Sequence, residues 1–179
     1  MALSKDIIKK SGLLSLKPRI VVCNVDEKSL RNGNKYSDAC KNKYVNENII
    51  IVCADIEDQI MGLETKDRKD FMLESGIKST GLDNLIKTGY DALGLSTFFT
   101  SGPEESRAWT IEKKSKAADA AGVIHTDFKK KFIRAETVTH EDFIKYKGFN
   151  ECKNAGKLRL EGKDYLVNDG DVMYFRVGN

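Results

Sequence analysis

Arg19-Ile20-Val21-Val22-Cys23-Asn24-Val25-Asp26-Glu27 and Ile49-Ile50-Ile51-Val52-Cys53-Ala54-Asp55 decide the reading of the first half of this chain. Pro18 ends any helical tendency, and the β-branched run from Arg19 to Cys23 suits a strand covered on both faces. Ile49 to Cys53 reads as a second buried strand. Between them Tyr36, Cys40 and Tyr44 recur every four residues, which brings them to one face of a helix. Two apolar strands joined by a helix predict a right-handed βαβ unit in a parallel sheet, whose ligands sit beyond the carboxyl ends of the strands. Those ends carry Asn24 to Glu27 and Ala54 to Asp55.

Working outward, Leu3 to Lys10 reads as a short helix with Ser4 as N-cap and Gly12 closing it. Thr65 to Ser75 is a second helix, ended by Gly76. Leu82, Leu85, Ile86, Tyr90 and Leu93 form one apolar stripe on a third, which starts near Thr80 and stops at Gly94. Thr80 and Asp83 make a loose capping box. Beyond Gly94 short strands and turns take over. Phe98 and Phe99 lie in a strand, Gly102 and Pro103 turn the chain, and Arg107 to Ile111 returns with Arg107, Trp109 and Ile111 on one face. Leu158 to Leu160 and Tyr165 to Val167 flank another turn, and Asn168 to Gly170 precede a last strand, Val172 to Val177. Four or five strands with one or two short helices in about 85 residues fit a small α+β sheet domain. The expected division is therefore 1–95, an α/β part, and 96–179, an α+β part.

Composition limits what this chain does. Of its 179 residues 40% are hydrophobic and 32% charged, which excludes wholesale disorder. Thirty Lys and Arg against 27 Asp and Glu give a formal charge of +3, too small an excess to indicate nucleic acid by itself. The longest wholly hydrophobic run, Ile49 to Ala54, is far short of the roughly 20 residues that span a bilayer, so no membrane association is expected. Cys23, Cys40, Cys53 and Cys152 have no paired short spacing for zinc and make no disulfide framework; a reducing cytoplasm is the economical location. One nucleotide-binding α/β domain uses roughly 160 residues or more, which leaves no room for such a domain and a second module together.

The search for catalytic equipment is mostly negative. None of the fourteen glycines lies in a Gly-x-x-x-x-Gly-Lys-Ser/Thr loop, and there is no dinucleotide fingerprint. His125 and His140 have no partner at metal-ligand spacing and no nucleophile signature beside them. His125 reads as a helix-capping residue, with a catalytic histidine as the alternative. Asp55 with Asp58, and Asp169 with Asp171, read as a helix first turn and a hairpin turn rather than acid–base pairs. Basic residues cluster as Lys113, Lys114 and Lys116, then Lys129, Lys130, Lys131 and Arg134, flanking an Ala-rich loop from Lys116 to Gly122. Such runs are either a solvated face or a strip that contacts phosphates. Trp109 and Phe128 nearby are either buried anchors or platforms for unpaired bases.

Asn24-Val25-Asp26-Glu27 stands after a buried strand where GTP-binding proteins place Asn-Lys-x-Asp, and Cys53-Ala54-Asp55 stands after the next, where they place Ser-Ala-Lys. With Leu95-Ser96-Thr97-Phe98-Phe99-Thr100, Arg107-Ala108-Trp109-Thr110-Ile111, Ala120-Ala121-Gly122-Val123-Ile124-His125-Thr126-Asp127-Phe128, Ala155-Gly156-Lys157-Leu158-Arg159-Leu160-Glu161-Gly162-Lys163-Asp164-Tyr165 and Asp169-Gly170-Asp171-Val172-Met173, the chain resembles the Obg-like ATPases of the YchF type. These are translation-associated P-loop proteins with Asn-x-x-Glu in place of the guanine-reading motif. The resemblance covers nearly the whole chain. It implies that 1–95 is the C-terminal part of a P-loop nucleotide-binding domain and 96–179 a TGS domain, a ubiquitin-like β-grasp module.

For individual residues the resemblance implies the following. Asn24 would offer its amide to the adenine edge of ATP, Val25 would pack on the base, and Glu27 would occupy the place of the guanine-reading carboxylate without favouring guanine. Ala54 would supply a backbone amide to the base. Cys53 and Asp55 depart from the usual serine and lysine. In the family the P-loop, switch segments and magnesium-binding residues precede a helical insert, of which Met1 to Ser11 looks like the last helix. Nothing in the chain would hold the β- and γ-phosphates or magnesium, so the chain alone is not expected to hydrolyse ATP. It is expected to be a C-terminal fragment, a truncated gene product or one half of a split protein whose partner chain carries the P-loop. The alternative is a non-enzymatic module that binds ribosome or structured RNA through the Lys113 to Arg134 region. In either case residues 1 to 95 are expected to self-associate through an open sheet edge and apolar face.

Overall fold

A computed structural model describes residues 12–178; the helix expected over Leu3 to Lys10 lies outside them. The chain divides into two compact units, Met1–Leu93 and Gly94–Asn179, so Leu95 goes with the second. Gly94 at the junction takes a φ of +67°, a conformation that favours glycine.

In the first unit β1 (Ile20–Asn24) and β2 (Asn48–Val52) pair in parallel, from Ile20 opposite Asn48 to Asn24 opposite Val52. The crossover helix α1 (Lys35–Lys43) starts at a capping box: Asn34 Oδ1 accepts from the backbone N–H groups of Tyr36 and Ser37, and Ser37 Oγ accepts from that of Asn34. Three helices follow: α2 (Ala54–Gly62), α3 (Thr65–Glu74) and α4 (Gly81–Leu93). A small core of Cys53, Ile56 and Ile60 gathers Leu30, Phe71, Met72 and Ile77 around it.

Two expectations change here. Val22 is exposed, so β1 is not covered on both faces. Tyr36 is 70% exposed, and α1 buries Ser37 instead. A spacing of four residues defines a face but does not say which part of it meets the sheet. The apolar stripe of α4 does form, yet Leu82, Ile86 and Leu93 face solvent. The expected Thr80–Asp83 capping pair is present in both directions, Asp83 N–H to Thr80 Oγ1 at 3.0 Å and Thr80 N–H to Asp83 Oδ2 at 3.3 Å.

In the second unit β3 (Leu95–Ser101) and β4 (Ser106–Glu112) form the expected hairpin, with Phe98 opposite Trp109. Helices α5 (Ala117–Ile124) and α6 (Thr126–Lys130) lead to β5 (Phe132–Thr139), then α7 (His140–Tyr146), α8 (Phe149–Asn154), β6 (Arg159–Glu161) and β7 (Asp171–Val177). The sheet order is β4-β3-β7-β5-β6, with β3 parallel to β7 and the other pairs antiparallel. Phe98 and Phe99 point to opposite faces, as the strand period requires. Phe98 joins Ile111, Ala117, Ala120, Ala121 and Phe175 in the larger core, while Phe99 packs on Val138, Cys152 and Val172.

The Ala-rich segment expected as a loop is the helix α5, because Ala117, Ala120 and Ala121 at helical spacing make a small apolar face that lets the backbone approach the sheet closely. Tyr165 to Val167 is no strand; its ladder contact is a single bridge between Leu166 and Lys116. Strand β5 was not expected. A register shift between Phe132 and Arg134 breaks its alternation, and the buried Thr137 hides its apolar face. Four short helices stand where one or two were expected.

Candidate nucleotide-base site

The carboxyl ends of β1 and β2 lie side by side, and the backbone carries their pairing one step further through Val25 N–H to the Val52 carbonyl at 2.8 Å. Just beyond, Asn24 Oδ1 accepts the backbone N–H of Ala54 at 3.0 Å. A backbone N–H can only donate, so the amide oxygen must face Ala54 and Asn24 Nδ2 points away as a pure donor. The two loops expected to flank a purine are thereby clasped together. Ala54 N–H, expected to serve a base directly, is already engaged by Asn24.

Around this clasp, Val25 is half-buried and Glu27 and Asp55 are exposed. Asp26 caps the 3₁₀ turn Glu27–Ser29 by accepting from Ser29 N–H at 2.9 Å. Hydrogen bonds from Ser29 hold the Asp26 carboxyl below the usual carboxylate range. Asp55 lies in the first turn of α2, where the helix dipole favours a negative charge. Cys53 is 1% exposed and packs against Ile56 and Ile60, so it belongs to the core beneath the loop and not to the loop's outer surface.

Glu57 is a residue that sequence reasoning missed. Its Oε1 accepts Gly81 N–H at 2.5 Å and its Oε2 accepts Leu82 N–H at 3.3 Å, which docks the first turn of α4 onto α2. A Cβ on Gly81 would lie 2.6 Å from Val52 Cγ1, so the approach requires glycine. The clasp, β2 and the start of α4 form one connected structure. Glycine directly after a Thr N-cap was the available signal for it.

Three of the seven basic residues face acidic partners. Lys116 precedes α5 and reaches Asp164 at 2.7 Å, which raises the lysine pKa and lowers that of the aspartate. Lys129 on α6 reaches Asp119 on α5 at 2.6 Å, and Lys130 lies 4.0 Å from Asp127. Lys113 and Lys114 occupy the turn after β4, with Lys114 at a φ of +65°. Lys131 follows α6, and Arg134 stands opposite Arg176 on β7. Lys129 and Lys130 line an open cavity of about 660 Å³ with Asp119, Gly122, Val123 and Thr126. Acids thus stand among these bases.

His125 caps α6, with Nδ1 accepting from Asp127 N–H at 3.2 Å, as its capping role requires. Trp109 donates to Thr100 Oγ1 at 2.9 Å and carries the Arg107 guanidinium 4.3 Å above its ring, while Phe128 packs on the core. Both aromatics are anchored. Among the described residues no group of His, Cys, Asp and Glu could hold a metal ion, and no helix is long and apolar enough to cross a membrane.

Residues 95–178 match a family model described as YchF-GTPase_C, protein of unknown function (DUF933). The "Ribosome-binding ATPase YchF" of Haemophilus ducreyi is 48% identical over 98% of this chain and 50% of its own length. The protein of that name from Bacillus subtilis is 47% identical over 95% of this chain and 48% of its own. The chain belongs to the YchF type, as a C-terminal portion. A solved structure of the Schizosaccharomyces pombe YchF GTPase matches the fold with a TM-score of 0.80 and 34% identity, over 98% of this chain and 48% of that one. The chain spans about half the length of the curated YchF relatives it matches.

Proposed function

We propose that this chain supplies the base-reading end of a YchF-type nucleotide-binding domain together with a ribosome-binding module, and that ATP hydrolysis needs P-loop, switch and magnesium-binding segments not in this sequence. The Asn24–Ala54 hydrogen bond carries this reading, because it joins the two loops that would flank a purine. The names of the relatives differ on the nucleotide: ATPase for the bacterial proteins, GTPase for the solved yeast structure. Adenine is favoured here. Asn24 Nδ2 donates to the ring acceptor that both purines share, so it does not discriminate. Asp55 only accepts. It suits the exocyclic amine of adenine and repels the carbonyl that guanine has at the same place. Val25 packs on the base, Glu27 occupies the carboxylate position without selecting guanine, and magnesium is held elsewhere.

The test is the backbone NMR spectrum of the purified chain titrated with adenosine and guanosine. Adenosine is expected to shift the signals of Asn24, Ala54 and Asp55 more than guanosine does. Equal or absent shifts would contradict the adenine reading.

The second unit supports a second, non-enzymatic role. Its five-stranded sheet, with a central parallel pair and packed cores against both faces, supports reading 96–179 as a β-grasp TGS module. Lys113, Lys114, Lys116, Lys129, Lys130, Lys131 and Arg134 would carry its contact with ribosome or structured RNA in the cytoplasm. Neutralising Lys129, Lys130 and Lys131 is expected to weaken ribosome binding and flatten its salt dependence; unchanged binding would place the contact elsewhere.

A further inference from the structure

Cys23 and Cys40 meet beneath α1. Cys23 stands on β1 opposite Ile51 of β2, so the two side chains share a sheet face. The path of α1 over that face is fixed at two points. At its start, the position where Gly33 would carry a Cβ is within contact of both Ser37 Oγ and Ile51 Cδ1, which puts Ser37 beside the neighbour of Cys23. At its end, the Tyr44 ring lies 6.0 Å from the guanidinium of Arg19, the residue before β1. Cys40 falls between Ser37 and Tyr44 on the same helical face and therefore over β1. There Cys40 stands close enough to Cys23 to help push that thiol's pKa up, after burial. Both are half-buried, whereas Cys53 and Cys152 are fully buried, so a small oxidant reaches this pair first.

We propose that Cys23 and Cys40 form a reversible dithiol site that a peroxide closes to an intramolecular disulfide. Hydrogen peroxide transfers one oxygen to a thiol, leaving sulfenic acid and releasing water. The second thiol attacks that sulfur, the S–S bond forms and a second water leaves, so two thiols and one peroxide give one disulfide and two waters. Burial pushes the Cys23 thiol up and the neighbouring Cys40 adds to this, so the thiolate that attacks peroxide is scarce near neutral pH and closure of the pair quickens as pH rises. The bond would tie α1 to β1 one residue before Asn24.

Differential alkylation and peptide mapping of the whole chain, before and after one equivalent of hydrogen peroxide, test the site. The expected product is a monomer lighter by two hydrogens, linked from Cys23 to Cys40, with Cys53 and Cys152 still thiols and dithiothreitol restoring the original mass. Cys40→Ser is expected to leave Cys23 as a sulfenic acid that dimedone traps. Retention of both thiols after peroxide, or a bond to another cysteine or to a second chain, would overturn the proposal.

Discussion

Asn24 Oδ1 accepts the backbone N–H of Ala54 at 3.0 Å, across 30 residues of sequence, and so joins the loop after β1 to the loop after β2. Two changes at Asn24 separate holding the loops from reading a base. Asn24→Ala loses the bond and is expected to destabilise the first unit by about 1 kcal/mol. Asn24→Asp keeps an oxygen toward Ala54 and loses the outward donor. Thermal melts are expected to stay close to wild type for the aspartate variant, while its adenosine-induced NMR shifts disappear.

Gly81→Ala is expected to cost about 1–3 kcal/mol, because the added methyl meets Val52 Cγ1 at 2.6 Å and Glu57 Oε1 at 2.9 Å. Urea unfolding of the purified variant checks this. Signals of Ala54 and Asp55 are expected to broaden as well, since Glu57 ties α4 to the helix that begins at Ala54.

Tyr165 hydroxyl donates to the buried Asp171 at 2.7 Å, and Asp171 also accepts from Arg159 and from Asn168 N–H. Burial first, then the hydrogen bond to Asp171, pushes the Tyr165 phenol up to about 12. Unfolded tyrosine ionises near 10. The stability this contributes is fully present below pH 10 and is lost as pH rises from about 10 to about 12. Phenolate absorbance is expected to show one of the six tyrosines titrating late, and Asp171→Asn to bring it back toward 10.

Leu82, Ile86 and Leu93 leave an exposed apolar line along α4. Light scattering of the purified chain is expected to show concentration-dependent self-association, and Ile86→Glu with Leu93→Glu to reduce it. A monodisperse wild-type monomer would contradict this.

Strand β1, strand β2 and the β3–β4 hairpin were legible because β-branched runs and turn residues act locally. The stripe of α4 was equally legible, but periodicity reports that a face exists and not what covers it. Helix α5 was hidden because alanine carries little hydrophobic signal, and β5 because a bulge and a buried threonine interrupt its alternation. At the proposed base site, residue types pointed to Asn24 and Ala54 through a family pattern. Their mutual bond, which takes up the Ala54 amide, and the grip of Glu57 on Gly81 depend on distances between segments far apart in sequence.

Phosphate release from magnesium ATP by this polypeptide alone, measured at steady state, tests the central claim most directly. The account predicts no release above buffer, because nothing proposed for this chain holds the β- and γ-phosphates. Turnover by the chain alone that Asn24→Ala abolishes would contradict it.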